Sequence, residues 1–135
     1  MLFPILAVLA LTAVQSSLAG ALDYGSAPDL SKSLQSALGP RDTPPEATVY
    51  GERCRRAFAN HLETLPAFLT LALLHQLQSV TGDLDSTAVM AAWAYFGLRV
   101  AYVPAYLSGV MGVRSAVWMS ATGALIGMAA LLVLG

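Results

Sequence analysis

The chain has 135 residues, of which 56% are hydrophobic and only 11% are charged, and its formal net charge at pH 7 is −1. Soluble domains carry roughly 25% charged residues, so this composition indicates an integral membrane protein. A charge near zero, with no lysine- and arginine-rich face, excludes the electrostatic footprint expected of a nucleic-acid-binding protein. The single cysteine, Cys54, excludes an internal disulfide.

Four apolar segments are long enough to cross about 30 Å of hydrocarbon, which takes near 20 helical residues. None of them alternates apolar and polar residues as barrel strands do. The sequence therefore predicts one all-α domain over residues 1–135, an integral membrane four-helix bundle. The predicted spans cover about residues 2–22, 56–80, 87–110 and 116–134.

The first span occupies the position of a signal peptide and ends in the small residues Ser17, Ala19 and Gly20. It lacks a basic leading region, however, and its apolar core is long for a signal peptide. We therefore predict that this span is retained as a membrane helix.

The connection after the first span, about residues 23–52, is the only long one. Its several prolines indicate irregular surface structure. Within it, leucines recur at steps of four, which is typical of a short interfacial helix. These leucines are Leu30, Leu34 and Leu38.

Basic residues flank only one side of the predicted bundle. They lie beside the first and third connections, whereas the second connection, about residues 81–86, carries two aspartates and no lysine or arginine. The positive-inside rule therefore predicts a cytoplasmic long loop and termini on the outside, across the inner membrane if the chain is bacterial. The basic residues that decide this orientation are Lys32, Arg41, Arg53, Arg55, Arg56 and Arg114.

Polar residues recur at helical spacing where the second apolar segment begins. Arg53, Arg56, Asn60 and Glu63 follow one another at steps of three and four, which places them on one face of a helix. An ionisable group near the centre of a membrane helix costs on the order of 2.5–3.5 kcal/mol on insertion scales, so this stripe is a candidate functional site. The alternative is that these side chains only lock helices together through ion pairs and hydrogen bonds.

A second polar stripe lies on the third predicted helix, where Arg99, Tyr102 and Tyr106 share one face. At 1.5 Å per residue, Glu63 lies about 15 Å past Arg53 and Arg99 about 16 Å before the end of its helix. The two side chains are therefore expected at similar depth, where they would form a bidentate ion pair.

Around that pair we expect a polar pocket that opens towards the cytoplasm. Guanidinium groups bind carboxylates, and an asparagine can satisfy both the donor and the acceptor of a peptide amide, so the pocket favours a small anionic peptide. Arg114 and Ser115, at the start of the fourth helix, place a cation and a hydroxyl together, which favours a thiolate ligand. The pocket is predicted to contain Arg56, Asn60, Tyr102, Tyr106, Arg114 and Ser115.

The motifs together resemble one family, the membrane-associated proteins in eicosanoid and glutathione metabolism. The resemblance rests on Glu52-Arg53-Cys54-x-Arg56-Ala57-x-x-Asn60-x-x-Glu63-x-x-Pro66, on Arg99-x-x-Tyr102-x-x-x-Tyr106 and on Arg114-Ser115, and it covers the last three helices. Within the family the second motif is most similar to the tyrosine-bearing version of leukotriene C4 synthase, and the chain also resembles the microsomal glutathione transferases.

The resemblance implies a homotrimer of four-helix subunits with glutathione bound between neighbours. It implies that Arg114, with Ser115, stabilises the glutathione thiolate, which attacks a lipophilic electrophile that arrives from the membrane lipid. The reaction would be conjugation or peroxide reduction. Carried over by motif, the glutathione-binding residues would be Arg53, Arg56, Asn60, Glu63, Arg99, Tyr102 and Tyr106.

Two other classes of function stay open at this point. The same family contains a lipid-binding protein that is not a transferase, so a non-catalytic lipid- or thiol-binding protein is the first alternative. A small transporter or a pure packing module is the second. A metal site is not expected, because His61 and His75 lack a ligand-rich partner motif.

Overall fold

The computed structural model describes residues 1–26, 31, 35, 38–39, 47–80, 82 and 85–134. Within this part of the chain four long helices follow one another, and each is long and apolar enough to cross a membrane. The predicted all-α four-helix architecture is confirmed. The helices are α1 (Leu2–Gly25), α2 (Val49–Gln78), α3 (Ser86–Ser108) and α4 (Met111–Leu134).

Two of the helices begin several residues before the apolar segments from which they were predicted. α2 begins at Val49 instead of residue 56, and α4 begins at Met111 instead of residue 116. Thr48 caps α2, since its Oγ1 accepts a hydrogen bond of 2.9 Å from the backbone N–H of Gly51. Hydropathy detects only the part of a helix that crosses hydrocarbon, so the polar first turns of α2 were missed.

Part of the first connection lies outside the described residues. The predicted interfacial helix depends on Leu30, Leu34 and Leu38, of which only Leu38 belongs to the described part of the chain. That prediction therefore stays untested. The connection itself is shorter than expected, because α1 continues to Gly25 and α2 starts at Val49.

α3 and α4 form a tight hairpin. α3 starts at the cap Asp85, whose side chain accepts a 2.7 Å hydrogen bond from the N–H of Thr87. It ends at Gly109, which has a left-handed φ of 75° that glycine adopts without steric cost. Only Gly109 and Val110 separate the two helices, so the end of α3 and the start of α4 lie at the same side of the bundle.

The apolar core occupies the half of the bundle away from this hairpin. Phe68 of α2 stacks on Tyr95 of α3 with ring centroids 4.6 Å apart, and both side chains are fully buried. Small residues such as Ala72 and Ala92 are also fully buried and let the helices approach closely. His75 bonds through Nε2 to the carbonyl of Met128 at 2.9 Å, which joins α2 to α4.

A buried carboxylate joins α1 to the start of α2. Asp23 Oδ1 accepts hydrogen bonds of 2.8 Å from both the N–H and the hydroxyl of Thr48, and Asp23 Oδ2 lies 2.6 Å from Arg55 Nη1. The contact is close enough that a Cβ on Gly51 would lie 2.0 Å from Asp23 Oδ1. We call this group, Asp23, Thr48, Gly51 and Arg55, the α1–α2 clamp. It fixes the rotation of α2 and hence the direction in which its polar stripe points.

Candidate functional site

A cavity of about 560 Å³ lies between α2, α3 and α4. Its volume falls within the range of 300–1,000 Å³ that is usual for small-molecule sites. Seven of the nine residues predicted for the site line it, drawn from all three helices. The lining residues are Arg56, Ala59, Asn60, Glu63, Tyr102, Tyr106, Arg114, Ser115, Trp118 and Met119.

The two arginines of the cavity are held loosely by the protein. The side chain of Arg56 is 69% exposed, and its closest carboxylate among the described residues is that of Glu52 at 4.0 Å. The guanidinium of Arg114 lies 5.1 Å from the centre of the Tyr106 ring, and among the described residues it has no carboxylate partner. Both groups therefore keep most of their N–H donors available to a ligand.

Glu63 and Arg99 do not form the predicted ion pair; that prediction is wrong. Arg99 Nη1 instead donates to Asn60 Oδ1 at 2.9 Å, and Arg99 Nη2 donates to the hydroxyl of Thr64. Thr64 and Asn60 face α3, whereas Glu63 lies on the exposed side of α2. Equal depth was inferred correctly from the helical rise, but depth alone does not decide which side of a helix a side chain takes.

Asn60 connects the two charged groups indirectly. Its Oδ1 must face Arg99, because a guanidinium only donates, so its Nδ2 points towards Glu63, whose Oε2 lies 3.4 Å away. The Glu63 carboxylate is left exposed at the wall of the cavity. The cavity therefore presents a carboxylate beside two guanidinium groups, which suits a ligand with both an amine and carboxylates.

Arg99 lies behind the cavity wall and does not line it. Its side chain is 1% exposed, and its guanidinium carbon lies 5.2 Å from the centre of the Tyr95 ring and 5.7 Å from that of Tyr102. This position lets Arg99 orient Asn60 and Tyr102 from within the bundle. Arg99 therefore supports the residues of the cavity wall and does not itself reach a ligand in the cavity.

Arg53 also lies outside the cavity. Its Nη1 donates a 2.6 Å hydrogen bond to the carbonyl of Leu107 in the last turn of α3, where helix carbonyls lack partners within their own helix. Arg53 lines a smaller hollow of about 150 Å³ that adjoins the cavity and shares Arg56, Tyr106 and Arg114 with it. The polar stripe of α2 thus divides between two neighbouring spaces.

Three apolar residues of the cavity wall, Ala59, Trp118 and Met119, were not predicted. Trp118 and Met119 lie one helical turn after Arg114 and Ser115, so the i, i+4 spacing was present in the sequence. Trp118 and Met119 give the cavity an apolar patch on α4, beside Arg114 and Ser115 of the same helix.

The histidines of α2 have packing partners. His61 is 1% exposed, and its Nε2 lies 2.8 Å from the hydroxyl of Thr12 on α1. His75 bonds to α4 as described above. Among the residues that the structure describes, no three His, Cys, Asp or Glu side chains come together as a metal site would require.

The comparison with protein families agrees with this arrangement. A family model described as the MAPEG family matches residues 1–134, which is almost the whole chain. The chain belongs to the MAPEG family. No curated protein matches it closely enough to be named beside it.

Membership of the MAPEG family indicates that the four helices lie in a membrane. The chain is a multi-pass integral membrane protein of a family in eicosanoid and glutathione metabolism, and members of that family use glutathione as a cosubstrate. Lipid therefore surrounds the outward faces of the helices.

Proposed function

We propose that this chain is a glutathione-dependent membrane transferase or peroxidase that acts on lipophilic electrophiles. The observation that carries the proposal is the 560 Å³ cavity, in which two loosely held guanidinium groups, one exposed carboxylate and two tyrosines converge. Glutathione carries one amine and two carboxylates, and this set of side chains is complementary to it. The smaller hollow beside it and the two pockets along the second half of α2 do not join charge of both signs to an aromatic wall.

In this proposal the binding roles follow the positions of the side chains. Arg56 binds a carboxylate of glutathione through its guanidinium group, and Glu63 binds the amine. Asn60 forms hydrogen bonds with a peptide group of glutathione. Tyr102 and Tyr106 add hydroxyls from α3. Arg53 and Arg99 receive no direct contact with glutathione, because neither lines the cavity.

The proposed catalytic residues are Arg114 and Ser115 on the first turns of α4. The cation and the hydroxyl stabilise the thiolate form of the bound thiol, which is the nucleophilic form. Trp118 and Met119 provide an apolar surface beside it for the electrophile. In conjugation the sulfur forms a bond to an electrophilic carbon, the leaving group departs with its electron pair, and the thiol proton goes to solvent.

The proposal includes a homotrimer. α1 packs on the side of α2 away from the cavity, through the clamp and through Thr12 and His61, so the cavity keeps an open side. The exposed side chain of Arg56 lies at that open side. A neighbouring subunit would close it and exclude water from the bound thiol. Native mass spectrometry of the detergent-solubilised protein measures the stoichiometry, and a monomer at catalytic concentration would contradict this part.

The thiolate is tested with purified protein, glutathione and chlorodinitrobenzene. Wild type is expected to show thiolate absorbance on adding glutathione and to release conjugate, while Arg114→Ala loses both and still binds glutathione by calorimetry. Arg55→Ala serves as the matched control, because it removes an arginine of the clamp that does not line the cavity. Absence of both signals in the wild type, with glutathione bound, would reject the enzyme.

That last result would leave the second candidate, a non-catalytic membrane protein that binds a lipid or a thiol in the same cavity. The apolar wall of Trp118 and Met119 is the observation that favours it, since such a wall can hold a lipid tail without any chemistry. Binding of glutathione or a lipid without turnover would support it.

A further inference from the structure

We propose that the smaller hollow beside the cavity is a site for an oxyanion of the phosphate type, supplied by the headgroup of an anionic membrane lipid. The hollow measures about 150 Å³, which is too small for a tripeptide but sufficient for one such group. Three arginines line it, and no acidic residue of the described part of the chain does so. The lining arginines are Arg53, Arg56 and Arg114.

The positive charge of these three arginines is only weakly balanced by carboxylates of the described residues. Three like charges around one hollow raise the free energy of the folded chain unless an anion lies between them. Among the described residues, the one carboxylate within 4.0 Å of any of them is that of Glu52, which is 4.0 Å from Arg56 and also bonds Arg55 at 2.9 Å. Arg53 donates one hydrogen bond to the carbonyl of Leu107, and its remaining N–H groups have no partner among the described residues. Guanidinium forks match the geometry of phosphate oxygens.

The surroundings of the hollow favour a lipid as the source of the oxyanion. The hollow lies at the end of the bundle where α2 and α4 begin and α3 ends, which is the depth of the headgroups if the helices cross the membrane. Val110 and Met111 line it and are 53% and 75% exposed. A basic hollow with an exposed apolar rim is complementary to a charged headgroup and the first part of its acyl chain.

The proposed lipid site does not depend on the proposed transferase activity, because a lipid headgroup can bind in the hollow without glutathione. It shares Arg56 and Arg114 with the cavity, so a bound headgroup would also hold these two side chains in place. Arg53 belongs to the hollow alone, which makes it the residue to change.

Tryptophan quenching by brominated lipids measures the selectivity directly. The sequence has two tryptophans, so Trp93→Phe leaves Trp118, which lies four residues after Arg114, as the only reporter. The protein is placed in vesicles of phosphatidylcholine, and brominated phosphatidylglycerol or brominated phosphatidylcholine is added at equal mole fraction. We expect phosphatidylglycerol to quench Trp118 more strongly than phosphatidylcholine.

Variants of Arg53 and Arg55 test whether the preference for phosphatidylglycerol arises in the hollow. One arginine near a membrane surface changes lipid binding by about fivefold, so Arg53→Gln should lower the relative binding constant of phosphatidylglycerol by about that factor. Arg53→Lys keeps the charge and should retain most of it. Arg55→Gln removes the same charge two residues away, outside the hollow, and should have little effect. Circular dichroism and gel filtration confirm that each variant is folded.

Equal quenching by the two lipids in the wild type would overturn the proposal, as would an equal loss in Arg53→Gln and Arg55→Gln. Sodium phosphate, compared with sodium chloride at the same ionic strength, separates the two sources of the oxyanion. Loss of the lipid preference in phosphate alone would support the oxyanion site. A response of Trp118 to phosphate without any lipid preference would assign the hollow to the free ion and reject the lipid.

Discussion

The neighbouring arginines Arg55 and Arg56 show how differently two sides of one helix are built. Arg55 contacts two carboxylates, Asp23 at 2.6 Å and Glu52 at 2.9 Å, and forms part of the α1–α2 clamp. Arg56, one residue later and about 100° around the helix, has only a 4.0 Å approach to Glu52 and lines the cavity. One side of α2 uses its charge to hold the fold, and the other leaves its charge free.

The same contrast applies further along α2. Towards α1, the polar side chain of His61 is buried against Thr12. Towards the cavity, Glu63 is exposed, and its only hydrogen bond among the described residues is a long one from Asn60. Partnered polar groups in a membrane bundle are expected to stabilise it, whereas unpartnered ones are retained for a ligand. Substitutions on the two sides should therefore affect different measurements.

The largest effect on stability is expected from Asp23→Ala. The substitution removes a buried carboxylate that accepts three hydrogen bonds and leaves the hydroxyl of Thr48 and Arg55 without it. Bonds to a charged group contribute about 1.5–3 kcal/mol, so thermal unfolding in detergent should shift down by an amount equivalent to about 3 kcal/mol. Glu63→Ala is the matched control from the cavity side and should stay within about 0.5 kcal/mol of the wild type. Equal destabilisation by both would remove the distinction between the two sides.

A smaller loss is expected from Arg99→Met, which keeps an unbranched apolar side chain but removes both hydrogen bonds to α2. Asn60 would lose its partner on α3, and Thr64 would keep only the hydroxyl of Tyr95 at 2.8 Å, which should cost about 2 kcal/mol in thermal unfolding. Glutathione affinity should fall as well, since Asn60 is no longer oriented. Unchanged affinity together with the lower unfolding temperature would show that Arg99 acts on the fold alone.

Gly109→Ala tests the hairpin that places Arg114. A φ of 75° is strained for alanine, and the new Cβ would lie 3.0 Å from Arg53 Nη2. The expected loss is about 1 kcal/mol in thermal unfolding. Gly97→Ala, where nothing lies within 4 Å of the added Cβ, is the control and should not destabilise the protein. An unaffected Gly109→Ala variant would indicate that the turn is adaptable.

Much of the fold was predictable because the signals are local. Four apolar segments gave the four helices, and steps of three and four put Arg56, Asn60 and Glu63 on one side of α2, where the structure has them beside one cavity. The hydropathy of the sequence shows only the part of each helix that crosses hydrocarbon, so the polar first turn of α2 after Thr48 was not found.

What could not be predicted depends on the rotation of each helix within the bundle. Arg99 was assigned to Glu63 from depth, but the structure turns it towards Asn60 and Thr64. Arg53 shares the stripe of Arg56, yet its side chain reaches the carbonyl of Leu107, 54 residues away in the sequence. Contacts between distant segments of this kind require three-dimensional information.

Glutathione affinity of Arg55→Ala and Arg56→Ala, measured by isothermal titration calorimetry in detergent, tests the central claim most directly. The account predicts that Arg56→Ala weakens binding by about tenfold or more, because a charge-assisted hydrogen bond to the ligand is lost, and that its unfolding temperature is unchanged. Arg55→Ala should lower the unfolding temperature and leave the affinity within about twofold. Tight binding by Arg56→Ala, or an equal loss of affinity in both variants, would contradict it.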